Sequence, residues 1–429
     1  MSEPEEKCIY CDQPKYFTDE HIFPAGLGGD DSRYLLKAGV CGDCNNGFSG
    51  IESTFQRRSV VGLARVIHQA KNRDGEPPKF DPVESHILDE EGRFLEAAYV
   101  AGFNAQVLPQ IFVLGETITT TSPNKDALLS FLKQATALLS KDELKLIEKN
   151  RSNTQNRFFV SRYRFNGKAY HFIAKEGAEK PPKGVIWIEA LINQKVDAKA
   201  CLYQRAGKQV AIKAKSTQAI SGVLGSIRRT LPGIVAEAES AQDQVIQQPI
   251  VSTTCLGWPP DCDRVVAKIG INFLAKDAGL EAARHPDLDA VKAFIFGKSE
   301  AHRTNFLDEE TKAEAFGSVP EGHHCVIISY GQTSTGRLSA VIAMHLYGGI
   351  GLTMQLSNDL PDQCSLKMNY YLINYTQNTI TQFDVIAYQT EFNSDYVRQF
   401  AKEHGVGFQR FMRDIGVGSS IPPELWLRS

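Results

Sequence analysis

The strongest helical pattern in the chain lies at residues 262–280, with the sequence CDRVVAKIGINFLAKDAGL. Four apolar residues recur there at a spacing that places them on one face of a helix: Val265, Ile269, Phe273 and Leu274. Gly279 predicts the end of this helix, because glycine is favoured just after the last helical residue. Similar patterns predict further helices over 48–69, 124–149 (one or two), 216–231, 286–297 and 394–405.

Alternation of apolar and polar residues predicts strands in other parts of the chain. Residues 94–121 alternate and are rich in β-branched side chains, and residues 323–388 return to this pattern. Residues 157–175 predict a hairpin with the turn Asn166-Gly167, because this dipeptide accepts the positive φ of a two-residue turn. A further strand is predicted over 184–192 and a second hairpin over 201–214.

The order of these elements predicts an α+β fold made of three regions. Residues 1–75 carry a cysteine motif followed by a helix, and they form a small N-terminal module. The segment 74–82, DGEPPKFDP, is polar and contains three prolines, which is typical of a linker. A middle region, 76–250, and a C-terminal region, 251–429, complete a larger α+β body, with a single unit spanning both as the alternative.

The composition is that of a globular protein without a membrane span. Hydrophobic residues make up 42% and charged residues 23% of the 429 positions, which are ordinary values for such proteins. No run of 18 apolar residues occurs, so no transmembrane helix is predicted. The N-terminal sequence MSEPEEKC lacks the apolar core of a secretory signal. We therefore expect a cytoplasmic protein with reduced cysteines.

Four of the nine cysteines form two CxxC pairs, which are Cys8, Cys11, Cys41 and Cys44. In a reducing compartment such pairs bind metal more readily than they form disulfides. Each pair places two sulfurs on one side of an ion, so the spacing predicts a four-cysteine structural Zn²⁺ site. The remaining cysteines show no CxxC spacing and are interpreted, for the most part, as buried small hydrophobes: Cys201, Cys255, Cys262, Cys325 and Cys364.

The residues between and after the cysteine pairs suggest more than a zinc site. Residues 19–29 are DEHIFPAGLGG, and Asn45 follows the last cysteine directly. The combined pattern, C-x2-C, E-H-I-x-P, L-G-G and C-x2-C-N-N-x-F over residues 8–49, resembles the HNH (ββα-metal) endonucleases in their zinc-stapled subfamily. The order of elements is also similar to that of a phage Holliday-junction resolvase. The resemblance covers the N-terminal module alone.

The resemblance implies a catalytic centre formed by His21, Glu20 and Asn45. Hydrolysis of a phosphodiester needs a base that deprotonates water and a cation that neutralises charge on the leaving oxygen. A histidine such as His21 can act as a neutral base at pH 7. Glu20 and Asn45 offer the hard oxygens that suit Mg²⁺ or Mn²⁺. Asn45 adjoins a zinc-ligating cysteine, so the zinc site would hold it in place.

Three departures from the common HNH pattern affect this assignment, and one of them is that Asn45 stands in place of the last histidine of the motif, as in the resolvase-like variants. Glu20 stands where aspartate is commoner, and SRYLLKAGV lacks the asparagine expected before the second cysteine pair. If the partner of the histidine is a backbone carbonyl, any residue could supply it. Neighbouring residues of a regular strand point to opposite faces, so Glu20 joins His21 at one centre only where the strand ends or bulges.

Each candidate also has a structural interpretation. His21 could be a core histidine or lie close to the zinc ion, and Glu20 could be a solvated surface acid. Asn45 could cap a helix that begins after the last cysteine. Gly28-Gly29 predicts a tight turn between the two strands of the module.

Basic residues are concentrated in one part of the chain. Residues 151–230 contain 16 Lys and Arg and 4 Asp and Glu, a charge of +12, which leaves −15 for the rest of a chain whose net charge is −3. This asymmetry indicates a surface for a polyanion, with nucleic acid as the expected partner. The candidate contacts are Arg57, Arg58, Arg65, Arg162, Arg164, Lys213 and Lys215. The alternatives are a solvated helix face for the first three and a nucleotide pocket or a partner surface for the others.

These patterns together predict a metal-dependent HNH endonuclease, acting on DNA in preference to RNA, whose larger body selects or senses the target. By resemblance, its products carry 5′-phosphate and 3′-hydroxyl ends, and its layout is similar to that of bacterial restriction and anti-phage effectors. A non-catalytic zinc-ribbon protein and a nuclease gated by a signalling nucleotide are the two alternatives. A concerted double-strand cut would need two centres, as in a homo-oligomer.

Overall fold

The structure is a computed structural model of the 429-residue chain. It describes eight stretches, which are residues 7–114, 117–150, 157–189, 200–243, 246–300, 302–332, 337–360 and 368–393. The helix predicted over 394–405 and Cys364 lie outside the described residues.

Strands are numbered in chain order. Those of the N-terminal half are β1 (Glu20–His21), β2 (Leu35–Leu36), β3 (Glu84–Leu88), β4 (Phe94–Ala101), β5 (Asn104–Val107), β6 (Gln110–Leu114), β7 (Thr117–Thr121), β8 (Glu143–Lys149), β9 (Phe158–Phe165), β10 (Tyr170–Ala178), β11 (Ile186–Glu189), β12 (Ala200–Arg205) and β13 (Gln209–Lys213). Those that follow are β14 (Ile250–Thr254), β15 (Asn305–Phe306), β16 (His323–Gln332), β17 (Leu338–Leu346), β18 (Ile350–Leu360), β19 (Asn369–Asn374) and β20 (Thr379–Asp384).

Helices alternate irregularly with these strands. They are α1 (Gly42–Arg57), α2 (Val60–His68), α3 (Lys125–Leu139), α4 (Thr217–Ser240), α5 (Pro260–Ala278), α6 (Leu280–Ala283), α7 (Asp289–Ile295), α8 (Glu309–Phe316) and α9 (Val385–Phe392). Among the described strands, the parallel pairs are those that join β11 to β8 and to β13. A mostly antiparallel arrangement with helices set apart confirms the predicted α+β class.

The chain divides into two compact units. The first contains residues 1–83, the short segment 101–103 and residues 255–429. The second contains residues 84–100 and 104–254. The N-terminal module and the C-terminal region therefore belong to the same unit, with the middle region as the other.

Helix α5 lies at the centre of the first unit, and all its residues from Cys262 to Ala275 except Arg264 are buried. Its buried residues belong to one core with the N-terminal module and with a six-stranded antiparallel sheet of order β15-β18-β17-β16-β19-β20. Gly270 lets the sheet approach closely, because a Cβ there would lie 2.7 Å from a methyl carbon of Leu356. Helices α8 and α9 cover the other face of the sheet. A helix surrounded in this way is a core element of its unit.

The N-terminal module has a ββα arrangement. Strands β1 and β2 pair antiparallel, with Glu20 opposite Leu36 and His21 opposite Leu35. Helix α1 follows and packs against α5. The module therefore shares its core with the C-terminal region of the chain.

The second unit contains two sheets. The larger has eight strands in the order β10-β9-β8-β11-β13-β12-β6-β7, and helices α3 and α4 pack on one of its faces. A four-stranded sheet of order β14-β3-β4-β5 packs on it through a separate apolar cluster. The predicted hairpin is confirmed as β9 and β10, with the Asn166 side chain accepting hydrogen bonds from the backbone N–H groups of Lys168 and Ala169.

Three predicted helices have the wrong bounds. The helix predicted over 48–69 is two helices, because Ser59 ends α1 and caps α2: its hydroxyl donates to the Phe55 carbonyl and accepts from the Val61 N–H. Residues 143–149 form a strand, since Leu144 and Leu146 alternate with polar residues. Helix α4 continues past Pro232 because its later residues still pack on the core of the second unit.

In the described part of the chain, no helix combines the length and apolar character needed to cross a membrane.

Candidate functional site

Four cysteine thiols converge beside the start of helix α1. The Sγ atoms of Cys8, Cys11, Cys41 and Cys44 all lie within 4.8 Å of one another. The Sγ atoms of Cys11 and Cys41 are 3.8 Å apart. A tetrahedral zinc ion with Zn–S bonds of about 2.3 Å places its sulfurs about 3.8 Å apart. The cluster therefore fits a four-cysteine zinc site, and the prediction of a metal-binding module is confirmed to this extent.

The local backbone explains why these thiols meet. Cys41 immediately precedes α1 and Cys44 lies in its first turn, while an isolated β-bridge joins Phe17 to Cys41. The N–H of Cys41 donates to the Cys8 sulfur at 3.4 Å. A hydrogen bond with Cys44 lowers the pKa of the Cys8 thiol, which favours its thiolate form. The thiolate is the form that binds a metal.

His21 lies on β1 with its ring held from one side. Its Nδ1 is 3.1 Å from the carbonyl oxygen of Gly29. Because a carbonyl oxygen only accepts hydrogen bonds, Nδ1 must carry the ring proton in the neutral state. The other nitrogen, Nε2, lies 3.6 Å from a carboxylate oxygen of Asp30, and 29% of the His21 side chain is exposed. The partner of Nδ1 is therefore a backbone carbonyl, which any residue could supply.

The Gly28-Gly29 pair makes that carbonyl available. Gly28 adopts φ +97, which favours glycine, and ends a short 3₁₀ turn formed by Ala25–Leu27. A Cβ on Gly29 would lie 2.0 Å from the carbonyl oxygen of Phe23. Only glycine fits at this position, and the tight approach holds the Gly29 carbonyl beside His21.

Glu20, next to His21, points into the interior. Its side chain is 4% exposed and pairs with the ammonium of Lys268, while the Asn272 amide donates to the same oxygen, Oε1, at 3.0 Å. Burial alone would lower the pKa of Lys268, but Glu20 and Glu52 raise it, so the ammonium stays charged. The interpretation of Glu20 as a solvated surface acid is therefore wrong.

Asn45 lies inside the first turn of α1 and does not cap it. The helix begins at Gly42, and the N–H of Asn45 already donates to the Cys41 carbonyl at 3.0 Å. The Nδ2 of Asn45 donates to the Thr18 hydroxyl at 3.1 Å and to the Asp19 carbonyl at 3.0 Å. The side chain therefore contacts the segment that leads into β1, and the capping alternative is wrong.

The three candidate arginines of the first unit occupy different environments. Arg57 is exposed on α1. Arg58 donates to the Asp81 carbonyl at 3.3 Å. Arg65 is 4% exposed, donates to Gln69 Oε1 at 3.4 Å, and its pKa is lowered by burial. Arg65 therefore lies in the interior, not on the surface where the sequence placed it.

Lys213 differs most from its predicted place on an exposed strand. Its side chain is 7% exposed, and its ammonium lies 2.8 Å from Glu96 and 3.4 Å from Glu84. Glu96 has a lowered pKa despite its burial, because His86 and Lys213 stabilise its charged form. Charges at this depth are paired, which explains why Lys213 does not face solvent.

The other basic candidates of the second unit lie nearer the surface. Arg162 on β9 is 3.3 Å from Glu143 and 3.4 Å from Glu176. Arg164 and Lys215 are exposed. Acidic residues of the same unit therefore offset part of the +12 charge.

Sequence reasoning missed Asp30, Lys268 and Asn272. Asp30 directly follows the glycine pair, so its closeness to the histidine motif was the available signal. Lys268 and Asn272 lie four residues apart, so they share one face of a helix that is buried over most of its length. Two polar residues at that spacing in a buried helix indicate a shared polar partner, but the sequence does not identify it.

No protein family, curated protein or solved structure matches this chain in the comparisons made with known proteins. The resemblance to HNH endonucleases therefore rests on the motif residues alone.

Proposed function

We propose that this chain is a metal-dependent endonuclease in which His21 is the general base. The observation that carries the proposal is the hydrogen bond between His21 Nδ1 and the Gly29 carbonyl. It fixes the neutral tautomer with its lone pair on Nε2. A partly exposed imidazole in this state can take a proton from water, which is the first requirement of phosphodiester hydrolysis.

Two residues of the module offer oxygen ligands for a divalent cation. Asp30 contributes a carboxylate on the Nε2 side of the ring. The Asn45 amide oxygen takes no part in the two bonds made by its Nδ2. Such oxygens suit Mg²⁺ or Mn²⁺, which would neutralise charge on the leaving oxygen when bound. Glu20 was expected to be a ligand as well, and the contacts of its carboxylate favour a different role, argued below.

Nucleic acid, with DNA favoured, is the proposed substrate. Support comes from the resemblance of the motif to HNH endonucleases and from exposed basic residues on both units, Arg57 and Arg164. Such residues can neutralise backbone phosphates. A restriction or anti-phage role is the extension that the layout of a nuclease module on a larger body suggests.

The test is cleavage of supercoiled plasmid by the purified zinc-loaded chain with MgCl₂, MnCl₂ or EDTA. We expect cleavage with metal only, and a loss of about 10²- to 10⁴-fold in rate for His21→Ala. His171→Ala is the matched control, because His171 is an exposed histidine of the second unit. Zinc content and the circular dichroism spectrum should be unchanged in both variants.

Three outcomes would contradict the proposal or redirect it. A well-folded His21→Ala chain with near wild-type rate would remove His21 from the chemistry. Salt-dependent DNA binding without cleavage under any metal condition would favour a zinc-ribbon binding protein. Cleavage that starts only after a nucleotide is added would identify a nuclease gated by that ligand.

A further inference from the structure

Asn272 of helix α5 joins the first cysteine pair to strand β1, which carries His21. Its side chain is fully buried. Its Oδ1 accepts a hydrogen bond from the Tyr10 hydroxyl at 2.7 Å, and Tyr10 lies inside the first CxxC pair. Its Nδ2 donates to Glu20 Oε1 at 3.0 Å and to the His21 carbonyl at 3.1 Å. One amide therefore holds both the first cysteine pair and the backbone of the proposed base.

Lys268 lies about one turn earlier on α5 and completes the network. Its ammonium contacts the Glu20 carboxylate and lies 2.8 Å from Glu52 Oε1. The Lys268 side chain is 2% exposed. An ammonium at that depth needs partners, because a buried charge left unpaired is strongly destabilising. Glu20 therefore has a structural reason to be acidic, independent of any catalytic metal.

The same contacts make Glu20 a poor ligand for a catalytic cation. Mg²⁺ keeps several waters and binds substrate phosphates as well as protein carboxylates, so its protein ligands must be reachable from solvent. The Glu20 carboxylate is buried, and its Oε1 already contacts both Lys268 and Asn272. Asp30, in contrast, is exposed by 39% on the Nε2 side of His21.

We propose that Glu20 is a positioning residue rather than a metal ligand. Through Lys268 and Asn272 it anchors strand β1 on helix α5, and α5 thereby sets the position of His21. The catalytic part of this inference rests on the proposed nuclease function, while the anchoring part rests on the buried contacts.

Four variants of the full chain separate the two roles: Glu20→Gln, Glu52→Gln, Lys268→Met and the double variant Glu20→Gln with Lys268→Met. Plasmid cleavage is measured over a series of MgCl₂ concentrations, which gives a maximal rate and a half-saturating metal concentration for each variant. Glu52→Gln is the matched control, because it removes a carboxylate from Lys268 without touching β1.

For an anchoring role, Glu20→Gln should behave like Glu52→Gln and keep the wild-type half-saturating metal concentration. The glutamine keeps a side-chain oxygen that can accept from Asn272. Loss of even an indirect partner of a metal typically costs about 10- to 100-fold in affinity. A rise of that size in the half-saturating concentration for Glu20→Gln alone would overturn the proposal.

Lys268→Met supplies a second, independent readout. It leaves the buried Glu20 carboxylate and the partly buried Glu52 carboxylate without their cation, so we expect a lower maximal rate at saturating metal. Removing the charge of Glu20 in the same chain should then restore part of that rate. If the maximal rate of the double variant does not exceed that of the slower single variant, the anchoring role of Glu20 is contradicted. If Lys268→Met does not fold, the half-saturating metal concentrations of Glu20→Gln and Glu52→Gln still decide between a metal-ligand role and an anchoring role for Glu20.

Failure of the nuclease proposal can be told apart from failure of this inference. If the wild-type chain cleaves nothing with either metal, the nuclease proposal fails. Thermal unfolding of the same variants then tests the anchor directly. Lys268→Met should be the least stable variant, and Glu20→Gln should recover part of the lost stability when combined with it. If the stability losses of the two single variants simply add in the double variant, the proposed anchoring role of Glu20 is wrong.

Discussion

Asp31 anchors the loop after the glycine pair to strand β20. Its Oδ2 accepts hydrogen bonds from the Ile380 N–H at 2.9 Å and from Arg33 at 2.6 Å, while Oδ1 accepts from the N–H of Arg33 at 3.0 Å. The hydrogen bonds from the Arg33 side chain are the main cause that lowers the pKa of Asp31 from 3.8 to about 2. Asp31 itself is buried. The loop that supplies the partner of His21 therefore depends on one ionised carboxylate.

The size of this contribution follows from the pKa. Each pKa unit corresponds to about 1.36 kcal/mol, so a fall from 3.8 to about 2 stabilises the folded state by about 2 kcal/mol. Solvent screening at the exposed Arg33 brings the expected value to about 1 to 2 kcal/mol. Because folding lowers this pKa, the stabilisation is present above the unfolded pKa. It is lost as the pH falls through the folded pKa, so most of it disappears between about pH 5 and pH 2.

Asp31→Asn should therefore destabilise the β20 contact at pH 7 and have little effect near pH 2. Hydrogen exchange of the peptide that contains Ile380, compared between variant and wild type at each pH, measures the local opening free energy. Asp30→Asn is the control, because the Ile380 N–H donates to Asp31 and not to Asp30. The reasoning is refuted if the opening free energies of Asp31→Asn and wild type differ by the same amount at pH 7 and pH 2. It is also refuted if they do not differ at pH 7.

Three further predictions concern other parts of the chain. Cys41→Ser should lose the zinc ion, measured by elemental analysis, since a four-ligand site contributes on the order of 10 kcal/mol; a full zinc equivalent held tightly would contradict the assignment. Gly29→Ala should lose cleavage while keeping zinc, because its Cβ would clash with the Phe23 carbonyl and so shift the Gly29 carbonyl that holds His21; Gly50→Ala, which has nothing within 4 Å of its Cβ, is the control. Lys213→Met should destabilise the second unit by about 3 to 5 kcal/mol in urea unfolding, since it leaves buried carboxylates unpaired. Little effect is expected for the exposed Lys215→Met, and equal effects of the two would argue against the buried network.

Local patterns predicted the parts of the fold that depend on nearby residues. The two CxxC pairs predicted the thiol cluster, because each pair brings its own two sulfurs together over a few residues. The apolar spacing of 262–280 predicted α5, and Gly279 predicted its end. Periodicity alone predicted one helix where the structure has two, because the Ser59 hydroxyl ends α1 and caps α2.

Contacts between distant residues could not be predicted in this way. The Asn272 amide bonds to Glu20 across 252 positions, and the motif alone suggested a metal ligand at Glu20. Lys213 likewise lies beside Glu96, 117 positions away, so its charge suggested a surface although the side chain is buried. The type of a charged residue does not reveal whether it faces solvent or a buried partner, because this depends on residues that only the fold brings close.

The dependence of β1 on α5 has a consequence for synthesis of the chain. Glu20 leaves the ribosome 252 residues before Asn272. At about 5 to 20 residues per second, that interval is roughly 10 to 50 s. During this time the zinc thiolates can gather, but the carboxylate of Glu20 has no buried ammonium to meet. We therefore expect the nascent N-terminal segment to acquire its metal first and to reach its final shape only after the C-terminal region has emerged.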